Sequence, residues 1–567
     1  MINVTPLAFF KGERGVCRTR RIAMKQRYFG ALICCSANGV MRVERVKKFI
    51  DVLSKMGYNL LELCIDDIYK IEGEPFVGYL RGGYTQAEIQ EMDDYAYAHG
   101  IELVPCIQTL AHLGNLVKLP RYWELVDVND ILLIDEPKTY ELIEKMFASI
   151  RSSFRTKLVN IGMDEAHMVG LGKHLDLHGF ENRHELLLRH LNKVLDIAQK
   201  YDFHAHMWSD MFFRLANKGE YWGENVTIGQ EVLKKVPKDV ALCYWDYGEL
   251  AANRIFVGDP SEKNEKVFDH MFSEHKKFDR ELWFASAVWN YNGFAPQNKM
   301  GQAVMQPGFK QAIAHGIENI LVTVWGDDGN DSSYFAALPS LYAMSEYAKG
   351  NFDQKIISKG FYDTFGYSFD DFMLLDIPNY NSGNPEALWR ECGSKTLLYN
   401  DCFLGWKDNY IEKLDAIPYG SYAEELKNAG ERVGEYKYIF DTLSLLCSAL
   451  EYKATLGVRT RKAYQSGNKQ ALEALLQVYA ETATRVDAFR KKFREMWLTE
   501  YKGNGWEIQQ YRLGGLYMRI LDCRERLVEY LEGKIDKIEE LEEEILPYGD
   551  NGLQHNAFCG LISVSNL

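Results

Sequence analysis

Lys157-Leu-Val-Asn-Ile-Gly-Met-Asp-Glu-Ala166 places two adjacent carboxylates, Asp164 and Glu165, where a short apolar run breaks off. Leu158, Val159 and Ile161 have the character of a buried parallel strand, and Gly162 lets the backbone turn as that strand ends. Carboxylates at the carboxyl end of such a strand project into a pocket, where repulsion and burial raise the pKa of one of them. A neutral carboxylic acid beside an ionised one can protonate a leaving oxygen. The competing reading is a solvated acidic turn capping the next helix.

Working outward from this stretch, a pattern repeats over residues 28 to 350: a β-rich run, a polar or aromatic tip, then an amphipathic helix. The strand candidates are residues 28–35, 59–65, 101–107, 157–162, 203–208, 240–245, 282–288 and 319–325. Helical spacing occupies 43–56, 86–99, 140–152, 185–200 and 308–316 between them. Eight strands alternating with helices favour a closed (β/α)8 TIM barrel over an open doubly wound sheet. No GxGxxG follows the first strand and no P-loop occurs, which argues against nucleotide binding. Beyond residue 350 the strand signal fades, and 436–455, 469–497 and 516–545 carry helical spacing rich in Glu, Lys, Arg and Leu. The expected organisation is a short N-terminal segment (1–25), a catalytic barrel (26–350) and a mainly α-helical C-terminal domain (351–567). The acidic run Ile538-Glu-Glu-Leu-Glu-Glu-Glu-Ile545 reads as a solvated face of the last helix.

Composition narrows the class. Of 567 residues 47% are hydrophobic and 13% aromatic, and 66 Lys+Arg against 80 Asp+Glu leave a net charge of −14. That balance argues against nucleic acid or an anionic membrane as partner. Several of the 11 cysteines (Cys34, Cys35, Cys64, Cys106, Cys243) fall inside strand candidates and read as buried thiols of a reducing compartment. No run approaches 18 apolar residues, and the first ten residues lack the pattern of a signal peptide. A cytoplasmic protein is the expectation.

In a TIM barrel the strand tips surround one pocket. In chain order they are Ser36, Asp66 and Asp67, Gln108 with His112, Asp164 and Glu165, Trp208 and Asp210, Trp245 and Asp246, Trp289 and Tyr291, then Trp325 and Asp327. Four Trp, each closing a strand and followed by polar residues, are hard to explain by packing alone. The apolar faces of a sugar ring stack on indoles while its hydroxyls take charged acceptors, so the set points to carbohydrate. Two other readings compete. A metal-dependent sugar isomerase or epimerase would use tip histidines, and His204-Ala-His206 is an HxH on the fifth strand candidate. A packed interior layer explains that pair more simply, and His167, His174 and His178 read as loop histidines. A catalytically silent sugar-binding protein is the third reading.

Asn160-Ile-Gly-Met-Asp-Glu-Ala166 resembles the catalytic signature of glycoside hydrolase family 20, the β-N-acetylhexosaminidases. Gly170-Leu-Gly-Lys-His174 and Met207-Trp-Ser-Asp-Met-Phe-Phe213 are similar to its bacterial exo-β-N-acetylglucosaminidase branch. Ala111-His112, Tyr244-Trp-Asp-Tyr247, Val324-Trp-Gly-Asp327 and Gly505-Trp-Glu-Ile-Gln-Gln-Tyr-Arg-Leu-Gly-Gly515 match in order and spacing. The resemblance implies that Glu165 is the general acid and base, and that Asp164 orients the substrate's 2-acetamido group. The acetamido oxygen would then be the nucleophile, through an oxazolinium intermediate with retention. Neighbouring side chains of an extended strand diverge, which would send one carboxylate to the leaving oxygen and the other to the acetamido nitrogen. His112 matches a histidine bonded to the acid and backed by an aspartate, for which Asp67 is the choice and Asp66 the competitor. Trp208, Trp245 and Trp325 match the acetamido cage and ring platform, and Asp327 the residue gripping distal hydroxyls. Trp289 and Tyr291 fall near the tyrosine position that bonds the acetamido carbonyl, with Tyr247 an equal candidate. No cofactor or metal is implied, and the partner is a β-N-acetylhexosaminide. The helical region would supply a homodimer interface or a wall of the pocket, with Trp506 and Arg512 the first residues to inspect.

Two departures stand out. Ala37 occupies the position where this family carries an arginine that clamps the 3- and 4-hydroxyls of the terminal sugar, and a methyl group cannot replace a bidentate clamp. Arg81 would supply that contact or else anchor its loop. The stretch ahead of the barrel is also short for a family in which many members carry an α+β domain there.

Overall fold

The computed structural model describes residues 27–248, 260–380, 393–546 and 558; the segment 1–25 lies outside them. Eight parallel strands close a barrel in sequence order: β1 Tyr28–Cys34, β2 Leu60–Cys64, β3 Glu102–Cys106, β4 Leu158–Asn160, β5 His204–Trp208, β6 Val240–Trp245, β7 Leu282–Ala287 and β8 Asn319–Val324. Closure comes from β1 pairing with β8, Tyr28 opposite Asn319 through Ile33 opposite Val324. All of β2 and β8, and all but the first residue of β1, are buried. That is why these strands read as continuous apolar runs: helices cover the outside and side chains fill the inside.

The outer helices follow their apolar spacing. Val43–Met56 buries Val46, Phe49, Ile50 and Leu53, then stops at Gly57 in the left-handed conformation (φ 85°). Gln86–Ala98 opens with a Thr85/Glu88 capping box. The helix before β8 differs from the sequence reading. It runs Asn298–Ala314, ten residues longer at its start than the expected 308, and contains Pro307. Proline removes an N–H and disfavours helix at the residue before it, so it hid the first half.

The remaining described chain is helical. Tyr419–Gly430, Lys437–Lys453, Lys469–Glu500 and Trp506–Leu531 are its longest elements. The expected helix over 516–545 is not continuous: Trp506–Leu531 ends ahead of Gly533 (φ 73°), and only Glu539–Glu542 resumes. The glutamates of the acidic run are solvated as expected, with Glu539, Glu542, Glu543 and Glu544 exposed, while Ile538 and Leu541 anchor the segment in the core and Glu540 meets Arg526 at 2.5 Å. Helical region and barrel top interlock, since Gln509 Nε2 donates to Asp331 Oδ1 at 2.6 Å and Asn38 Nδ2 to the Gly505 carbonyl at 2.9 Å. Among the described residues no helix is long and apolar enough to cross a membrane.

Candidate active site

The tip carrying Asp164 and Glu165 follows the shortest strand of the barrel. β4 has three residues, and its pairing with β3 is the single position Cys106 opposite Asn160. Regular strand therefore ends at Asn160, two residues earlier than expected, and Asn160 Oδ1 accepts the Gly162 N–H at 3.0 Å to start a turn. Gly162 (φ 70°), Met163 (φ 71°) and Glu165 (φ 51°) all take positive φ. A Cβ on Gly162 would lie 2.1 Å from Gln108 Oε1, so glycine is required there by conformation and by space. Asp164 and Glu165 thus lie beyond the regular strand, so strand alternation does not set their directions, and the backbone is left-handed at Glu165. Left-handed non-glycine residues at a polar pocket are the usual mark of a strained functional site.

Asp164 is tightly held. Gln108 Nε2 donates to its Oδ1 at 2.8 Å, and the other end of the same amide accepts the Met163 N–H at 3.2 Å. His112, itself at φ 56°, brings Nε2 to 3.2 Å from Asp164 Oδ2 and 3.7 Å from Glu165 Oε2. Glu165 is fixed by its backbone, whose N–H donates to Asp210 Oδ2 at 3.1 Å. Arg214, one helical turn after Asp210, binds Asp210 at 2.9 Å and lies 3.4 Å from Glu165 Oε1.

These contacts separate the two carboxylates electrostatically. Burial pushes Asp164 up, but the His112 charge and the His112 and Gln108 hydrogen bonds outweigh it and hold the group below the usual aspartate value. Burial raises Glu165, and the charges of Asp164 and Asp210 add to it, against His112 and Arg214. His112 is carried up to about 10 by the Asp164 charge, against burial. The two neighbouring carboxyls are thus driven in opposite directions, with Glu165 holding its proton to higher pH than Asp164 and His112 beside both. Glu165 is also the more open, its side chain 38% exposed against 16% for Asp164.

A cavity of about 600 Å3 lies over this pair. Trp208, Trp245, Tyr247, Tyr291, Trp325 and Asp327 line it, as do Ala37, Asp66 and His112. Trp208 and Trp325 stand 6.0 Å apart, and Trp325 Nε1 donates to the Tyr247 hydroxyl at 2.9 Å. The indole nitrogens of Trp208 and Trp245 are buried and have no hydrogen-bond partner among the described residues.

Three expected site residues stand elsewhere. Asp67 does not reach His112: Arg81 Nη1 spans both its oxygens at 2.5 and 2.6 Å, and Arg81 Nη2 binds the Ser36 carbonyl. Asp66 lines the cavity instead, at φ 27°, with Ser36 Oγ donating to it at 2.5 Å. Burial and the nearby Cys34 raise Asp66 to about 7. Arg81 is thus a loop anchor, absent from the wall of the main cavity. Trp289 is buried behind that wall, donating to the Tyr247 carbonyl at 2.9 Å and packing on Tyr291 at 5.4 Å.

The HxH pair is also split. His204 is exposed, whereas His206 is buried, stacked on Trp283 at 4.9 Å and bonded to Glu62 at 2.7 Å. Of the expected loop histidines, His174 is instead buried on the short helix Lys173–His178. Among the described residues no three His, Cys, Asp or Glu side chains converge to hold a metal ion.

Sequence reasoning missed Trp222, Asn115, Cys34, Cys64 and Arg214. The first four line the cavity, and Trp222 packs edge-on against Trp245 at 4.8 Å. Trp222 follows a loop rather than a strand, so no periodicity flags it. Arg214 had a signal in its i,i+4 spacing from Asp210.

The sequence compares with known proteins as follows. No curated protein sequence matches the chain. The exo β-N-acetylglucosaminidase of Vibrio harveyi, solved with N-acetylglucosamine, is similar in structure at 18% identity and a TM-score of 0.44, over 62% of this chain and 59% of that one. The β-N-acetylhexosaminidase of Bacteroides fragilis follows at 17% and 0.42, over 57% of this chain and 66% of that one. The N-acetyl-β-hexosaminidase of Streptomyces plicatus gives 17% and 0.42, over 60% and 69%. The chain thus spans about three fifths of the length of the Vibrio harveyi enzyme. The catalytic-domain model of glycosyl hydrolase family 20 matches residues 31–346, and the Glycoside Hydrolase 20C C-terminal domain matches 370–560. With the barrel matched almost end to end, the chain belongs to glycoside hydrolase family 20.

Proposed function

We propose that this protein is an exo-acting β-N-acetylhexosaminidase, removing terminal non-reducing β-linked GlcNAc or GalNAc with retention and without a cofactor. The observation that carries the reading is that Asp164 and Glu165 open side by side into one cavity with their pKa values driven in opposite directions.

In this reading Glu165 gives its proton to the glycosidic oxygen as the C1–O bond breaks. The acetamido carbonyl oxygen of the same sugar bonds to C1 and forms an oxazolinium, its N–H donated to the ionised Asp164. Glu165, now a carboxylate, takes a proton from water attacking C1, and the ring reopens to the β-configured sugar. Adjacent carboxylates suit this route, because the nucleophile belongs to the substrate and no second carboxylate is needed across the ring. His112 keeps Asp164 ionised, while Trp208, Trp245 and Trp325 supply the apolar walls. The eight cysteines among the described residues are buried free thiols, which fits a reducing cytoplasm.

Hydrolysis of aryl β-GlcNAc and β-GalNAc by the wild type and Glu165→Gln tests the reading. Turnover in the wild type, reduced by at least about 10³-fold in the variant, is expected. No turnover of either substrate would overturn it. A thiazoline mimic of the oxazolinium should inhibit; indifference to it would favour a two-carboxylate mechanism.

A further inference from the structure

A second cavity, of about 400 Å3, adjoins the first, and both share Ala37 and Asn115 in their walls. It forms between barrel and helical region: Arg81 and Lys118 come from loops after β2 and β3, Gly329 follows β8, and Gly505, Glu507 and Arg512 belong to the start of Trp506–Leu531.

Its charge is the reverse of its neighbour's. The first cavity presents Asp66, Asp164, Glu165 and Asp327 with the one cation His112, whereas the second presents three cationic side chains and one carboxylate, in a chain of net charge −14. Glu507 is turned onto the Gly505 N–H at 2.8 Å. Interdomain packing accounts for part of the cationic set. Arg81 is taken up by Asp67, and Arg512 lies 3.9 Å from Asp331 and 4.9 Å over the Phe558 ring. Lys118 is different: its Nζ donates to the neutral Asn115 side chain at 3.0 Å, and it has no carboxylate partner among the described residues. Asn115 is a residue of the junction, so Lys118 presents its charge beside the opening.

The opening is kept clear by small residues. Ala37, one of the two residues common to both walls, contributes only a methyl group there. Gly329 (φ 115°) and Gly505 (φ 90°) line the far wall in conformations that strain any side chain. A Cβ on Gly505 would press to 2.6 Å from the Asn38 carbonyl oxygen, and one on Gly329 to 3.2 Å from Arg512 Nη1.

We propose that this annex is a subsite for a negatively charged group (sulfate, phosphate or carboxylate) carried by the sugar in the first cavity, recognised by Lys118 and Arg512 and admitted past Ala37. The inference rests on the glycosidase reading, because a sugar seated in the first cavity is what would present a substituent at the opening. Ammonium and guanidinium groups favour oxyanions by charge-assisted hydrogen bonds, strongest where water is thinned by surrounding walls.

The test compares kcat/KM for neutral aryl β-GlcNAc with its 3-, 4- and 6-O-sulfated and -phosphorylated forms and with an aryl β-GlcNAc bearing a uronic acid. At least one anionic substrate should exceed the neutral one by about tenfold, and the preference should shrink between low and high salt. Lys118→Gln should reduce the preference about fivefold while leaving neutral turnover unchanged. Ala37→Leu, which narrows the opening without altering charge, should abolish it. Neutral turnover with no anionic preference, or a preference indifferent to both variants, would overturn the annex alone. No turnover of any substrate would overturn the glycosidase reading along with it.

Discussion

Arg214 Nη2 stands 3.4 Å from Glu165 Oε1, and it reaches there across the faces of three aromatic rings. Its guanidinium carbon lies 5.5, 5.3 and 5.7 Å from the ring centres of Tyr221, Trp222 and Trp245. Cation–π contact and the Asp210 bond fix an otherwise flexible side chain beside the Glu165 carboxyl. Arg214 therefore tempers Glu165: burial, Asp164 and Asp210 raise its pKa, and Arg214 joins His112 in lowering it. A group that must give a proton and later accept one needs a pKa near the working pH.

Replacing Arg214 by Met removes a positive charge from the Glu165 carboxyl. Loss of a nearby cation favours the protonated form, so Glu165 holds its proton to higher pH. The alkaline limb of the kcat/KM profile, which falls as the acid ionises, should move to higher pH. Turnover itself should fall, because a Glu165 that holds its proton more tightly is a weaker acid toward the leaving oxygen in the first step. An alkaline limb that stays in place would show that Arg214 braces Asp210 alone.

His112 makes stability depend on pH. Its folded-state pKa is about 10 against an ordinary 6.5, so its contribution is complete below about 6.5 and is lost as pH rises toward 10. Asp164, lowered in the folded state, contributes above its ordinary value of 3.8 and loses that contribution as pH falls through its folded value. The pair is thus fully stabilising between about pH 4 and 6.5. Thermal midpoints of the wild type should decline from pH 6.5 to 10 more steeply than those of His112→Gln. Parallel curves for the two proteins would contradict the ion pair.

Gly162→Ala tests the turn that parts the two carboxylates. The added methyl meets Gln108 Oε1 at 2.1 Å and the Ile107 carbonyl oxygen at 2.9 Å, on a backbone held at φ 70°. Left-handed φ costs alanine about 1–2 kcal/mol, and overpacking adds roughly 1–3. Displacing Gln108 also frees the amide that bonds Asp164 and the Met163 N–H. Denaturant unfolding should show a loss of about 2–5 kcal/mol, with activity falling further than the unfolded fraction explains. Unchanged stability would mean the loop relaxes without strain.

How much of this was legible beforehand depends on the range of the signal. All eight strands carry local apolar runs, and each run lies where the barrel has a strand, because parallel strands buried on both faces leave little choice of residue. The Asp164–Glu165 pair was visible as polarity breaking such a run. Backbone hand was not: choosing between Asp66 and Asp67 depends on φ 27° at Asp66, which turns it to the cavity and leaves Asp67 to Arg81. Neither was Trp289, since a tryptophan closing a strand looks the same from either side of the wall. The annex joins segments more than 400 residues apart, from Arg81 to Arg512, which no local pattern relates.

Trp222 is the wall residue that loop sequence concealed, and its removal separates binding from folding. Its ring stands nearly perpendicular to Trp245 (84°) at 4.8 Å, with Nε1 donating to the Trp245 carbonyl at 3.1 Å. It thereby sets the position of an indole whose face meets the cavity. Because Trp222 is half-buried, Trp222→Ala should cost stability only about 1–2 kcal/mol. Loss of one apolar platform and slackening of a second should lower kcat/KM for aryl β-GlcNAc about 10- to 100-fold, mostly through KM. Trp222→Phe keeps an aromatic edge against Trp245 but not the indole hydrogen bond, and should recover much of that loss. A large stability change with kcat/KM intact in the folded enzyme would make Trp222 a structural prop rather than a wall of the sugar site.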